Sequence, residues 1–130
     1  MLTISTFSSV LKKEERKLLI PILKEFEYKA GDTIFSESQP AESIFILEKG
    51  SVTLTIPGKQ SIYIKRGDMV GELAVINDSV RLGTAIAKSA SKGLELDAKS
   101  LYNPDLIPTI IALKITKIIA KKHTYIQQNR

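Results

Sequence analysis

Short apolar runs separated by turn residues fill the middle of this 130-residue chain, from Phe26 to Asp97. Several runs alternate apolar and polar side chains, which is typical of strands with one buried and one solvated face. The six runs that we expect to be strands are TIFS, SIFILEK, SVTLTIP, QSIYIK, TAIAKS and GLELD. Turns are predicted between them at Ala30-Gly31-Asp32, Ser38-Gln39-Pro40, Lys49-Gly50, Pro57-Gly58, Arg66-Gly67-Asp68 and Lys92-Gly93. So many short strands at this spacing predict a small antiparallel barrel or jelly roll.

Helical patterns flank the strand-rich region on both sides. The segment from Leu11 to Leu23 has apolar residues at helical spacing, and Pro21 should break or end that helix because it lacks an N–H. Asn103-Pro104-Asp105 has the composition of a helix start, while Pro108 fits either the first turn of one long helix or a break between two helices. The predicted fold class is mainly β with flanking α: a double-stranded β-helix (jelly-roll) barrel with N-terminal helices and a long C-terminal helix.

The length of the chain fits one domain with a sizeable core. We expect a single domain over residues 1–130, with a helical lead-in at about 7–23, the barrel at about 24–97 and the C-terminal helices at about 98–128.

The C-terminal helix has more apolar residues than one packing face requires. Its apolar positions are Ile107, Ile110, Ile111, Leu113, Ile115, Ile118 and Ile119. A helix that lies on a barrel buries one stripe, so the surplus predicts a second contact. Pairing with the same helix of a second copy, in a homodimer, is the expectation that we favour. The alternative is that both faces pack within one domain.

The composition excludes several kinds of site. There is no cysteine, which removes disulfides, thiolate zinc sites, iron–sulfur clusters and cysteine catalysis. His123 is the only histidine, so one chain has no two-histidine metal centre, and we interpret it as a solvated residue near a helix end. No acid–base or nucleophile constellation stands out. We therefore expect neither catalysis nor a bound metal.

The net charge of +5 raises the question of nucleic-acid binding. From Lys99 onward six Lys or Arg residues accompany one acid, Asp105, which we interpret as the solvated face of a helix rather than a nucleic-acid site. The N-terminus lacks a signal-peptide pattern, and no apolar run is long enough to span a membrane. The expected location is cytoplasmic.

Glu72 and Arg81 stand in a largely apolar stretch, GELAVINDSVRLGTAIA. The simplest interpretation is a surface ion pair worth under about 1 kcal/mol. The alternative is an anion site, because peptide N–H groups that open a helical turn attract negative charge and the arginine fork suits two phosphate oxygens. Glu72 would repel an anion, so it suits a hydroxyl of the same ligand, such as a ribose 2′-OH. Together these features describe a nucleotide with one negative phosphate.

The same stretch resembles the phosphate-binding cassette of the cyclic-nucleotide-binding domain family, of the catabolite-activator and kinase-regulatory-subunit type. That cassette reads Gly-Glu-Leu-Ala, six residues, Arg, two small residues and Thr. The matching positions here are Gly71, Glu72, Leu73, Ala74, Arg81 and Thr84. Upstream, IFSESQPAESIFILEKG and RGDMVGE resemble other segments of the family, and the resemblance covers about residues 7–119.

The resemblance implies a role for each cassette residue. Arg81 would grip the cyclic phosphate and Glu72 the ribose 2′-OH. Backbone N–H groups near Ala74 and Leu82 would help to hold the phosphate, and Gly71 would allow a close approach. The implied ligand-binding residues are Gly71, Glu72, Leu73, Ala74, Arg81, Leu82 and Thr84. The family places its ligand in a jelly-roll pocket and folds a C-terminal helix toward it.

Two residues depart from the family pattern in ways that matter. Members that prefer cGMP tend to have Thr or Ser after the arginine, and Leu82 cannot make that hydrogen bond, so we expect cAMP rather than cGMP. Ser38 replaces a turn glycine, which predicts a turn that is strained by about 1 kcal/mol or rebuilt. Candidates for purine contacts, none of which the sequence singles out, are Thr116, Lys121, Lys122, Thr124 and Tyr125.

We therefore expect a cyclic-nucleotide sensor without its own DNA-binding domain, which signals through its C-terminal helix to a homodimer partner or an effector protein. The alternative keeps the fold as a protein-interaction or scaffold module that binds no ligand or a different one. A cupin-type enzyme is disfavoured because such enzymes commonly hold a metal with several histidines. A nucleic-acid binder is disfavoured because lysines on a helix are usually its solvated face.

Overall fold

A computed structural model describes residues 11–76 and 80–115 of the chain. The described residues contain eight strands: β1 (Lys24–Tyr28), β2 (Thr33–Phe35), β3 (Ser43–Lys49), β4 (Val52–Thr55), β5 (Ile62–Ile64), β6 (Met69–Val70), β7 (Thr84–Ala87) and β8 (Ser91–Asp97). The helices in the same ranges are α1 (Lys13–Leu19), α2 (Glu72–Ile76), α3 (Ala98–Leu101) and α4 (109–115), with a 3-10 turn at Ile20–Ile22. Residues 11–22 and 99–115 belong to one compact unit, which we call the helical unit. Residues 23–98 belong to another, which we call the strand-rich unit.

The strands form two antiparallel four-stranded sheets. The first has the order β1-β8-β3-β6 and the second the order β2-β7-β4-β5. Strand β8 runs between β1 and β3, so that Glu95 lies opposite Lys24 on one side and Phe45 on the other. The chain is therefore mainly β with additional helices, as the alternating runs predicted.

One apolar cluster contains side chains from both sheets. Three aromatic rings lie within it: Phe26 meets Phe45 edge-on at 5.4 Å between centroids, and Phe35 lies 6.1 Å from Phe45. The other buried members are Ile34, Leu47, Val52, Ile64, Val70 and Ala85. Burying one such large side chain contributes about 1.5–3 kcal/mol, so this cluster supplies much of the driving force that holds the sheets.

The N-terminal helix ends where the sequence predicted. Helix α1 gives way to the 3-10 turn at Ile20–Ile22, which contains Pro21. A proline in this place removes an N–H that a continuing α-helix would use, so the helix stops before it. At its start, the Lys12 N–H donates to Glu15 Oε1 at 2.9 Å, and the Glu15 carboxylate also accepts from Lys114 Nζ at 2.9 Å. Residues 7–10 of the predicted lead-in lie outside the described residues.

The C-terminal segment begins with a turn and continues as α4. The Asn103 side chain accepts the Asp105 N–H at 3.0 Å, but residues 104–106 form a turn and the helix starts after Pro108. The Pro108 carbonyl accepts the N–H groups of Ile111 and Ala112, so Pro108 lies at the N-cap of α4 and does not break a helix. The predicted helical residues 116–128, with His123 and the candidate purine contacts, lie outside the described residues.

The predicted surplus of apolar residues is visible on α4. Ile111 and Ile115 are buried, as is Ile107 just before the helix. On the other faces Ile110 is 59% exposed and Leu113 is 52% exposed. One apolar stripe is thus covered and a second is accessible.

The turn predicted at Lys92-Gly93 is wrong, because both residues lie inside β8. Gly93 is needed there for a different reason: a Cβ on it would collide with the main-chain carbonyl oxygen of Ile46 on β3. The glycine therefore permits a close approach of two strands. Strands β1 and β6 were not among the predicted runs. In the described ranges no helix is both long and apolar enough to cross a membrane.

Candidate functional site

Gly71 connects strand β6 to the short helix α2 in a backbone conformation that favours glycine. Its φ is +82°, in the left-handed region, and α2 starts at the next residue, Glu72. A Cβ on Gly71 would collide with Nη1 of Arg81. The sequence predicted that Gly71 allows a close approach, and the group that approaches it here is the arginine side chain.

The Arg81 side chain reaches two main-chain carbonyls that are distant in sequence. Its Nη1 donates to the carbonyl of Gly71 and its Nη2 to the carbonyl of Ser43, both at 2.6 Å. The guanidinium carbon lies 4.1 Å from the centre of the Phe35 ring, within the range of a cation–π contact. These contacts fix the guanidinium between Gly71, which precedes α2, and Ser43, at the start of β3.

Arg81 is a buried cation, with only 4% of its surface exposed. Its Nε is buried and has no hydrogen-bond acceptor among the described residues. Burial lowers the pKa of the guanidinium from its usual value, while the negative charges of Glu72, Glu95 and Glu42 oppose that change. An arginine stays protonated under these conditions, so the site holds a positive charge, and only two of its five N–H groups donate in the hydrogen bonds described above.

A cavity of about 260 Å³ adjoins the arginine. Its lining combines the aromatic rings of Phe35 and Phe45 with the carboxylates of Glu42 and Glu95, and the other lining residues are Ile34, Gln39, Pro40, Ser43 and Arg81. A second cavity of about 230 Å³ shares three of these residues and adds Lys24 and Asp97. In the part of the chain that the structure describes, no three His, Asp or Glu side chains form a group that could hold a metal ion.

The structure brings three of the predicted site residues together. Gly71, Glu72 and Arg81 meet where β6 passes into α2: Glu72 is 5% exposed and its charge acts on Arg81. Leu73 and Ala74 belong to the same helix, and Ala74 is buried.

The two predicted residues that follow Arg81 have different surroundings. Leu82 is 52% exposed, so its side chain is accessible beside the buried arginine. Thr84 begins β7, and its hydroxyl oxygen accepts the N–H of Glu37 at 3.1 Å. Thr84 thus contacts the turn between β2 and β3.

The residues that hold the arginine in place were not predicted from the sequence. Ser43 contributes only its main-chain carbonyl, and Phe35 contributes the face of its ring. Any residue type has a carbonyl, so no pattern of side chains could have indicated Ser43. The Phe35 position was predicted as part of a strand, but its contact with Arg81 depends on the pairing of β2 with β7.

The cyclic nucleotide-binding domain model matches residues 25–103 of this chain. A cAMP-dependent protein kinase regulatory subunit from Hypocrea atroviridis is 32% identical over 114 residues, which are 88% of this chain and 24% of that protein. The chain thus spans about a quarter of the length of the curated relatives it matches.

Solved structures share the fold at lower sequence identity. A cyclic nucleotide-binding domain from Methylobacillus flagellatus has a TM-score of 0.85 at 15% identity, covering 97% of this chain and 76% of that one. The regulatory subunit of a cAMP-independent protein kinase A from Trypanosoma brucei has a TM-score of 0.77 at 21% identity, covering 98% of this chain and 46% of that one. The match of the family model over most of the strand-rich unit, together with this fold, shows that the chain belongs to the cyclic nucleotide-binding domain family.

Proposed function

We propose that this chain is a regulatory domain that binds cAMP at the cassette around Arg81 and passes the signal on through its C-terminal helix. The observation that carries the proposal is the buried Arg81, whose Nε has no acceptor among the described residues although its other contacts are short. A buried donor without a partner is costly, and an oxygen of a cyclic phosphate is the kind of acceptor that the arginine fork suits.

In this proposal each cassette residue has a defined task. Arg81 binds the phosphate, and Glu72 accepts a hydrogen bond from the ribose 2′-OH. Gly71 leaves room for the guanidinium, and main-chain N–H groups at Ala74 and Leu82 complete the phosphate contacts. Thr84 supports this arrangement from β7, and Leu73 belongs to the same helix, α2, as Glu72 and Ala74. The proposal has two further parts. The strands form a jelly-roll barrel with a ligand pocket, and residues 1–130 form a single domain.

The preference for cAMP over cGMP rests on Leu82. Its side chain is accessible at 52% exposure and has no hydroxyl to offer to a guanine amino group. The name of the curated relatives, cAMP-dependent protein kinase regulatory subunit, agrees with this ligand and indicates a kinase as the class of effector. No catalysis is proposed.

The output is proposed to pass through the C-terminal helix. The accessible apolar residues Ile110 and Leu113 on α4 suit either a second copy of the chain or an effector protein. If ligand changes the contacts of this helix, hydrogen exchange of residues 106–115 will change when cAMP is added. Identical protection with and without cAMP would exclude this route.

A second candidate is a protein-interaction module of the same fold that binds no cyclic nucleotide. Two observations favour it: the guanidinium already has two carbonyl partners, and a structural neighbour is described as the regulatory subunit of a cAMP-independent kinase. A form of that neighbour bound to cAMP carries substitutions.

Calorimetric titration with cAMP and, separately, cGMP distinguishes the two candidates. We expect saturable binding of one cAMP per chain, weaker binding of cGMP, and loss of binding in Arg81→Ala. Arg66→Ala is the matched control, because it removes the same charge from an exposed turn. Absence of heat and of thermal stabilisation with either nucleotide would leave the interaction module as the function.

A further inference from the structure

The main chain of Arg81 is held by one turn, residues 36–40, which we call the 36–40 turn. The Ser38 N–H donates to the carbonyl of Arg81 at 2.9 Å, and the Arg81 N–H donates to the carbonyl of Gln39 at 2.7 Å. Next to them, Pro40 and Val80 form an isolated antiparallel bridge. A surface turn therefore pairs with both polar groups of the arginine backbone.

Two side-chain acceptors hold the 36–40 turn itself. Gln39 Oε1 accepts the N–H of Ser36 at 2.7 Å, and Thr84 Oγ1 accepts the N–H of Glu37 at 3.1 Å. The Gln39 N–H also donates to the Ser36 carbonyl at 3.2 Å. Both side-chain bonds fix main-chain N–H groups of the turn, so each removes freedom from the backbone that contacts Arg81.

The turn needs such support because its backbone is strained. Ser38 has a φ of 72°, the only non-glycine residue with a positive φ in the described ranges. An L residue adopts this conformation at a steric cost, and it persists where the surroundings over-determine it. Glu37, Ser38 and Gln39 are exposed, so burial does not supply that constraint. The hydrogen bonds are what remains to hold the turn.

We infer that Gln39 and Thr84 are positioning residues for the guanidinium of Arg81, acting through the 36–40 turn; this rests on the proposed phosphate contact of that arginine. The Gly71 and Ser43 carbonyls fix the far end of a long side chain. The 36–40 turn fixes the end at the main chain. With both ends held, Nε points in one direction before any ligand arrives, which lowers the ordering cost of binding. For Thr84 the role is therefore indirect, through Glu37 and not through the ligand.

The first test needs no ligand and measures amide hydrogen exchange. Thr84→Val and Gln39→Met keep the side-chain size but remove the acceptor, while Thr84→Ser and Gln39→Glu keep an oxygen acceptor. We expect the Ser38 and Arg81 amides to exchange about fivefold faster or more in the first pair, with rescue in the second. The Leu47 amide, which donates to Asp68, is an internal reference that should not change. Unchanged exchange at Ser38 and Arg81 would overturn the inference.

The second test measures cAMP affinity in the same variants. Thr84→Val and Gln39→Met should each weaken binding by about three- to tenfold, and the conservative variants should restore it. The effect should disappear in an Arg81→Lys background, because a residue that acts through Arg81 has nothing to position once the fork is gone. A loss that persists in that background would mean direct contact with the ligand and would overturn the positioning role.

The two tests separate the inference from the proposed function. If the unaltered chain binds no cAMP, the proposed function fails, and the exchange rates alone decide whether the turn holds Arg81. If the chain binds cAMP and the acceptor variants bind it equally well, the positioning role fails while the proposed function stands.

Discussion

Two cations of this chain make short polar contacts in contrasting surroundings. In the helical unit, Lys114 Nζ lies 2.9 Å from the Glu15 carboxylate, and the two side chains are 30% and 18% exposed. In the strand-rich unit, Arg81 is 4% exposed and its side chain donates to main-chain carbonyls. The lysine has a full counter-charge and partial access to water, whereas the arginine has neutral acceptors and little water.

The contrast indicates what each contact is for. A partly exposed ion pair stabilises a fold weakly, since water and salt screen it. A buried guanidinium loses its hydration, and carbonyl dipoles and an aromatic face replace that loss only in part. A protein gains little stability from such an arrangement. In the proposed function, an anionic ligand completes the contacts of this arginine, whose Nε has no acceptor among the described residues.

The largest expected effect, and the sharpest test of this comparison, is loss of cAMP binding in Arg81→Met. Methionine occupies similar space beside Phe35 but carries no charge, so we expect cAMP affinity to fall by about 2–5 kcal/mol, thirtyfold or more. Without ligand, the free energy of unfolding should change by less than about 2 kcal/mol, because removal of a buried charge offsets the two carbonyls left without donors. Titration calorimetry and urea unfolding measure the two quantities.

Arg66→Met is the matched control for charge and side-chain length, since Arg66 lies in an exposed turn. This variant should change neither the cAMP affinity nor the free energy of unfolding. If Arg81→Met unfolds the chain while the control does not, Arg81 is a structural residue and the contrast with Lys114 loses its functional meaning.

Much of the fold was predictable from local patterns. Strands β3, β4, β5 and β7 alternate or concentrate apolar residues strongly enough to be recognised alone. Strand β1, KEFEY, was missed because it is an edge strand in which Phe26 is the single buried residue, and β6 has only two residues. Gly93 was misread as a turn because its role, the close approach of the Ile46 carbonyl, depends on a neighbouring strand.

The candidate site was predictable in its residue types but not in its contacts. The spacing from Gly71 through Glu72 to Arg81 pointed to an anion site, and the structure brings these residues together. The partners of Arg81 are the carbonyls of Gly71 and Ser43, the second 38 positions away. Carbonyls leave no signal in a sequence, and tertiary pairing decides which of them the guanidinium reaches.

The next largest effect is expected for Gly71→Ala, which tests whether the arginine is held as tightly as its contacts indicate. The new Cβ would be strained at a φ of +82° and would also meet Arg81 Nη1. Strain of this kind costs about 1–2 kcal/mol, and displacement of the guanidinium should weaken cAMP binding about tenfold in addition.

Gly58→Ala separates the two contributions to the Gly71 effect. Gly58 has a φ of +73° but no atom within 4 Å of a Cβ built on it, so it shares the strain without the collision. Both variants should lose unfolding free energy, and only Gly71→Ala should lose affinity. Equal affinity in the two variants would show that the guanidinium tolerates displacement.

A smaller effect is expected for Ser38→Gly, which relieves strain beside the arginine without removing a hydrogen bond. Glycine adopts a φ of 72° freely, although it also gains freedom in the unfolded chain. We expect a net gain of up to about 1 kcal/mol in the free energy of unfolding, measured in urea. Because the main-chain N–H of residue 38 is retained, affinity for cAMP should stay within about twofold. A loss of stability would mean that the serine side chain has a contact of its own.

The smallest effect is expected at the ion pair, for Glu15→Gln. The Lys12 N–H, and then the Lys114 ammonium, hold the pKa of the Glu15 carboxyl below its ordinary value of 4.5. A carboxyl with a lowered folded-state pKa contributes stability above the unfolded value of about 4.5, and the contribution is lost as the pH falls through the folded pKa. The stability of the unaltered chain should therefore converge with that of Glu15→Gln below pH 4.5, and differ from it by little at pH 7.

Glu14→Gln, an exposed neighbour on the same helix, controls for the loss of a carboxylate. Urea unfolding at several pH values, with and without 0.5 M salt, measures the difference between the variants. Salt should reduce the Glu15 effect at pH 7, because water and ions reach this pair. In salt, the loss of cAMP affinity in Arg81→Met should remain much larger than the change in unfolding free energy in Glu15→Gln. A Glu15 effect that matched the Arg81 effect would mean that accessibility does not separate the two cations, and the buried arginine would then need no ligand to explain it.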